Sequence, residues 1–85
     1  MTIYGPAMDL GRAVAANVRA LRAHRQWHQS ELAERLHISQ RSVSTLELGK
    51  RADIGVRELA DLCDVFGVTL VDLLDGSDEK QRLGL

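Results

Sequence analysis

The sequence predicts an all-α protein, a compact five-helix bundle containing a helix-turn-helix. Two observations carry that expectation. Apolar residues return at helical spacing along successive segments: Leu10, Val14, Val18 and Leu21; Leu32, Ala33 and Leu36; Val43 and Leu46; Leu59, Cys63 and Phe66. Four helix starts also share one register, in which an apolar residue precedes the cap position and another follows the cap by four. Trp27/His28/Leu32, Ile38/Ser39/Val43, Ile54/Gly55/Leu59 and Val68/Thr69/Leu73 all fit it. That offset is the hydrophobic staple of a helix entrance.

Residues 1–8 contain Gly5 and Pro6 without a helical period and read as a loose arm. Lacking Lys and Arg, this arm has little with which to enter a DNA minor groove. Asp9 is the expected N-cap of the first helix. Its stripe of Leu10, Val14, Val18 and Leu21 is surrounded by Ala13, Ala15, Ala16 and Ala20 and runs to about Ala23. Arg12, Arg19 and Arg25 fall on or beside its polar side. The second helix begins after His28, a poor cap by residue type, so its start rests on the Trp27–Leu32 staple.

A change of phase near His37 marks a tight turn before the third helix. The fourth helix, Val56 to about Phe66, should turn Leu59, Cys63 and Phe66 inward, with Ala60 and Leu62 flanking and Gly67 as a left-handed C-cap. Glu58 and Asp72 take the third helical position of helices four and five, where an anion suits the positive helix end. The fifth helix, Leu70 to about Asp75, should bury Leu73 with either Leu70 or Leu74 and stop at Gly76. The chain thus divides into an arm at 1–8, a domain at 9–76 and a polar tail at 77–85.

Eighty-five residues suffice for one domain, which buries a little over ~60% of its unfolded surface. With 45% hydrophobic and 27% charged residues, the composition is that of a soluble globular protein rather than a disordered one. The longest apolar runs, Ala13–Ala16 and Val68–Val71, are too short to span a bilayer. The N-terminus, MTIYGPAMDL, has neither the basic nor the apolar region of a signal peptide. Cys63 is the single cysteine, so no internal disulfide can form. A cytoplasmic protein with no membrane partner is the expectation.

The net charge of −1 argues, by itself, against a polyanionic partner. Its distribution argues the other way. Residues 10–52 hold eight Lys/Arg against three Glu, a balance of +5, whereas residues 53–85 hold three Lys/Arg against eight Asp/Glu, a balance of −5. Such a split turns the basic half toward a polyanion and the acidic half away from it. A solvated charge pattern with no partner is the alternative.

The segment Gln29–Leu48, QSELAERLHISQRSVSTLEL, reads as helix, tight turn, helix. In its second helix Gln40, Arg41, Ser44, Thr45 and Leu48 share one face, and Ser42, Val43, Leu46 and Glu47 make the other. A short helix that buries an apolar edge and presents hydrogen-bonding side chains outward suits the DNA major groove.

From about Val18 to Leu74 the chain closely resembles the XRE family of DNA-binding domains, that of lambda repressor and Cro. The matching residues are Val18-Arg19-x-Leu21-Arg22, Gln29-x-x-Leu32-Ala33, Ile38-Ser39-Gln40 and Val43-Ser44-x-Leu46-Glu47-x-Gly49-Lys50, followed by Leu59-Ala60 and Phe66-Gly67-Val68. The resemblance implies a five-helix bundle, dimeric operator binding and transcriptional repression. Position by position, it implies base contacts for Gln40, Arg41 and Thr45, with Ser44 between them. It also implies phosphate contacts for Gln29, and for Lys50 and Arg51 just past the recognition helix; Arg19, on the polar side of the first helix, is a further phosphate candidate. Arg22 and Glu47 match an ion pair that the family uses to tie helix one to helix three.

The chemistry suits these roles independently: Arg can fork onto guanine, Gln can pair with adenine, and the Thr methyl can touch thymine. Free N–H groups at the start of helix two favour an anion near Gln29.

Three positions depart from the family pattern. His37 stands where Gly is usual, so it must accept a positive φ at some cost. Leu48 replaces a polar residue that often reaches a phosphate. Ile54 replaces a common Pro. The run GKRADIG resembles HipB-like antitoxins, a branch of the same family.

Other chemistry finds no support in the sequence. His24, His28 and His37 have no metal-ligand spacing and only one cysteine to join them. No catalytic constellation or Gly-rich phosphate loop is present, so neither an enzyme nor a cofactor is expected. Two functions remain. One is a repressor that binds a pseudo-palindromic double-stranded operator as a homodimer through helix five, near Leu70–Leu74, with Leu83 and Leu85 as additions. The other is an interaction module on the same fold, such as an antitoxin whose acidic half holds a toxin.

Overall fold

The computed structural model describes residues 10–51 and 53–74. It contains α1 (Leu10–His24), α2 (Gln29–Leu36), α3 (Gln40–Glu47), α4 (Val56–Phe66) and α5 (Leu70–Leu74). The five expected helices are present, with starts in the expected register. The arm, the Asp9 cap, the Gly76 stop and the tail with Leu83 and Leu85 lie outside the described residues.

α1 packs against α3 and α5, α2 against α3 and α4, and α4 against α5. Val14, Val18 and Leu21 of α1 meet Leu32, Val43, Leu62, Phe66 and Leu73, all fully enclosed. Burial of each such side chain contributes about 1.5–3 kcal/mol. Helices of 5 to 15 residues would be marginal alone, so this shared core is what holds them.

One detail, in α4, differs from the expectation, and another, in α5, settles an open alternative. α4 buries Leu59, Leu62 and Phe66, while Cys63 is only half-buried and Ala60 is exposed. The inward face is therefore centred on the i, i+3, i+7 set, which rotates Cys63 to its edge. In α5, Leu73 is buried and Leu74 half-buried, whereas Leu70 is exposed.

Three of the four connections are the same three-residue device. After α1, Gln26 is left-handed at φ 60°; its N–H donates to the Ala23 carbonyl at 2.9 Å, and the Trp27 N–H reaches the Arg22 carbonyl at 3.1 Å. After α2, His37 is left-handed at φ 59°; its N–H donates to Glu34 at 3.2 Å, and the Ile38 N–H reaches Ala33 at 3.0 Å. After α4, Gly67 is left-handed at φ 69°, and the Val68 N–H reaches Cys63 at 3.1 Å. These are helix stops in which the residue after the left-handed one closes back on the last turn. That same apolar residue (Trp27, Ile38 or Val68) precedes the next cap, so it ends one helix and staples the next.

The caps follow the residue types. Ser39 Oγ accepts from the Ser42 N–H at 3.1 Å. Thr69 and Asp72 cap each other reciprocally, at 3.1 and 3.3 Å. Gly55 has no side chain to offer, so only the Glu58 half is made there, with the Gly55 N–H donating to Glu58 Oε1 at 3.1 Å. His28 makes no side-chain cap bond.

Trp27 does more than staple a helix entrance. Its ring stacks on Phe66 at 5.5 Å between centroids, and the Arg35 guanidinium lies 4.2 Å from its centroid.

Candidate nucleic-acid interface

α3 is clamped on one side and open on the other. Val43, Leu46 and Glu47 are buried at i, i+3 and i+4, while Gln40, Arg41, Thr45 and Leu48 are exposed and Ser44 is intermediate. Ser42, placed on the inner face by periodicity, is instead exposed; its hydroxyl lies 2.9 Å from that of Ser39. At the third position of the helix it serves the cap rather than the core.

Glu47 is the anchor of the clamp. Its side chain is 4% exposed and accepts three hydrogen bonds. Arg22 Nε donates to Oε2 at 2.6 Å and Nη2 to Oε1 at 2.9 Å. Gln29 Nε2 donates to Oε1 at 3.0 Å, and Arg22 Nη1 donates to the Trp27 carbonyl at 2.8 Å. One carboxylate thus gathers α1, α2 and α3. The bidentate pairing raises the Arg22 pKa further above its ordinary range.

Three polar residues in and just after α1 share a task that sequence reasoning missed. Asn17, buried among apolar neighbours, donates to the Leu73 carbonyl. Arg19 donates to the Glu47 carbonyl and Arg25 to the Phe66 carbonyl. These carbonyls lie in the last turns of α5, α3 and α4, where helices have no backbone donor left to offer. A cation there also opposes the negative helix end. The one sequence signal was Asn17 itself, a polar residue inside an apolar stripe.

This changes the standing of three residues assigned to phosphate. Gln29 is occupied by Glu47 because Arg22 leaves acceptor capacity on Oε1. Arg19 is turned onto the end of α3. Arg51 pairs with Glu58 at 2.6 and 2.7 Å and reaches the Asp53 carbonyl at 3.3 Å. The Arg51 hydrogen bonds hold the Glu58 carboxyl below the usual carboxylate range. Nothing in the sequence pattern marks a pair seven residues apart across a loop.

Arg41 and Lys50 remain. Both are exposed, and neither side chain has a hydrogen bond or ion pair with the described residues. Arg41, Ser42, Thr45 and Arg51 line a shallow concavity beside α3. Thr45 Oγ1 donates to the Arg41 carbonyl at 3.0 Å, so its methyl and an acceptor are what it can offer a partner. Leu48, where a polar residue would suit a phosphate, is 63% exposed.

α3 is thus held by the buried Glu47 on one side and presents its polar side chains on the other. A family model described as Helix-turn-helix matches residues 18–73. The chain belongs to that family, the XRE-type helix-turn-helix proteins. The family is one of DNA-binding transcriptional regulators. Among solved structures, the chain is similar to a hypothetical transcription factor, NHTF, from Neisseria, with 25% identity and a TM-score of 0.76 over 98% of this chain and 94% of that one. It is also similar to the clp gene regulator ClgR from C. glutamicum, with 32% identity and a TM-score of 0.69 over 76% of this chain and 83% of that one. No curated protein matches. No helix among the described residues is long and apolar enough to cross a membrane.

Proposed function

We propose that this XRE-family member is a sequence-specific transcriptional repressor that reads the major groove with α3. Gln40, Arg41, Ser44 and Thr45 face the bases. Lys50 is the leading phosphate contact. Gln29, Arg19 and Arg51 flank it in a lesser role, because each already holds a protein partner. One short recognition helix covers few base pairs, so the protein acts as a homodimer on a pseudo-palindromic site with half-sites about one helical turn, ~34 Å, apart.

The observation that supports this most is Arg41. It is the long cation on the open face, and it has no partner among the described residues. The likeness to NHTF and ClgR, named as a transcription factor and a gene regulator, supports the same reading.

Selection from a library of random duplexes tests it. The expected result is a two-fold related consensus, with wild type preferring it over random DNA by roughly 10³-fold or more. Recovery of no consensus would sink the proposal. The acidic second half keeps one other reading in view, an antitoxin that binds a toxin partner, and that reading would then take precedence.

A further inference from the structure

One edge of α4 and the start of α5 form an apolar face that nothing among the described residues covers. Val56, Ala60 and Cys63 stand at i, i+4 and i+7, along one side of the helix. Val56 is 83% exposed and Leu70, at the start of α5, 47%. With Leu59 they line a shallow hollow that has Asp64 at its rim. Cys63 adds no charge there, since burial, and secondarily the Asp64 carboxylate, push its thiol pKa up. It behaves as a small hydrophobe. Contiguous exposed apolar surface of this kind marks a site of association.

The charges beside the face indicate its occupant. Arg57 and Asp64 lie seven residues apart on the strip of α4 next to the apolar edge. Arg57 is 90% exposed and only 3.7 Å contact with Asp61 engages it, while Asp64 has no ion-pair partner among the described residues. Laid antiparallel about a two-fold axis between Ala60 and Asp61, two copies of α4 set Arg57 of each beside Asp64 of the other.

Ala60 then falls at the crossing, where a small side chain allows close approach. The exposed Val56 of one copy meets the hollow between Cys63 and Leu70 of its partner. Two alternative arrangements fail. An axis through Ala60 sets Arg57 against Cys63 and Val56 against Asp64, and a parallel pair sets Arg57 against Arg57. Apolar contact and charge agree in the first arrangement.

We propose that this α4–α5 face is the homodimer interface, with the two α4 helices antiparallel about Ala60. The inference rests on the dimer reading above and relocates its contact. Within the Leu70–Leu74 stretch expected to serve there, Leu73 is enclosed in the core, and α5 contributes chiefly Leu70.

Sedimentation equilibrium of the full chain without DNA tests the interface separately from operator binding. Ala60→Glu changes an exposed helical position to a good helix former, so the fold should persist, as a thermal melt would verify. It should raise the dimer dissociation constant at least ~10-fold. Arg57→Asp and Asp64→Arg should each weaken the dimer about 2- to 5-fold, and the double variant should recover, because the exchanged charges still meet. Val71→Glu, outside the hollow, should leave the dimer unchanged. A wild type that stays monomeric overturns the proposal. So does an Ala60→Glu protein that dimerises normally, or a double variant no better than the singles. Should Ala60→Glu fail to fold, the charge exchange decides.

Discussion

Three arginines in and just after α1 and two cations around α3 belong to the same basic half of the chain, yet they stand in opposite states. Arg19, Arg22 and Arg25 are committed to the ends of other helices and to the buried Glu47. Arg41 and Lys50, on and just past α3, have no partner among the described residues. Counting charge alone credits all of them to a polyanion. Partner geometry divides them into a set that builds the domain and a set that stays open, the one proposed to meet DNA. Each set can be broken separately.

The largest effect is expected at the buried clamp. Glu47→Ala or Arg22→Ala should each destabilise by about 3–5 kcal/mol in urea melts, because the surviving charge is left without its partner. The double variant should lose much less than the sum of the two. Additive losses would show that the carboxylate and guanidinium contribute independently, and the clamp would dissolve as an explanation of how α3 is held. DNA affinity measured well below the melting temperature should fall only in proportion to the unfolded fraction.

Arg41→Ala should do the reverse. Stability should change by no more than about 0.5 kcal/mol at this exposed position. On the best operator, affinity should drop by ~1–3 kcal/mol, and preference at one base pair, expected to be G·C, should flatten. Equal loss on every duplex would make Arg41 a phosphate contact and move the reading face elsewhere on α3.

The sequence exposed the fold more fully than the interface, for a physical reason. Caps and staples are local: Ser39, Thr69 and the apolar residues beside them announce helix starts within five positions, and all four starts fall in the expected register. The Arg22–Glu47 pair was legible only through the family resemblance. The partners of Arg19, Arg25 and Arg51 are carbonyls and a carboxylate brought near by folding, and no spacing rule reports them. Left-handed stops show the same limit. Gly67 was legible from its residue type and His37 from its place in the family pattern, but Gln26 adopts φ 60° with nothing in its type to announce it.

His37 offers a smaller test of that contrast. His37→Gly should be neutral or stabilising by up to ~1 kcal/mol, since glycine removes the Cβ strain at φ 59°. The offset is the extra freedom glycine gives the unfolded chain. A clear loss in urea melts would assign the imidazole a packing role that outweighs its backbone strain.

The smallest effect should separate two neighbouring cations that sequence alone treats alike. Lys50→Ala should weaken all duplexes equally and lower the salt slope by about one phosphate contact per protomer. Arg51→Ala should lower it by less, because Glu58 already neutralises the guanidinium at 2.6 and 2.7 Å. That pairing weakens as pH falls through the lowered Glu58 pKa, where the carboxylate takes up its proton. Glu58→Gln imitates the protonated state at neutral pH. In that background, Arg51→Ala should cost a full contact in the salt slope, matching Lys50→Ala. Equal slopes for the two single variants in the unmodified protein would mean that Arg51 exchanges Glu58 for phosphate on binding. No change for Arg51→Ala in either background would make it a structural residue of the α3–α4 connection alone.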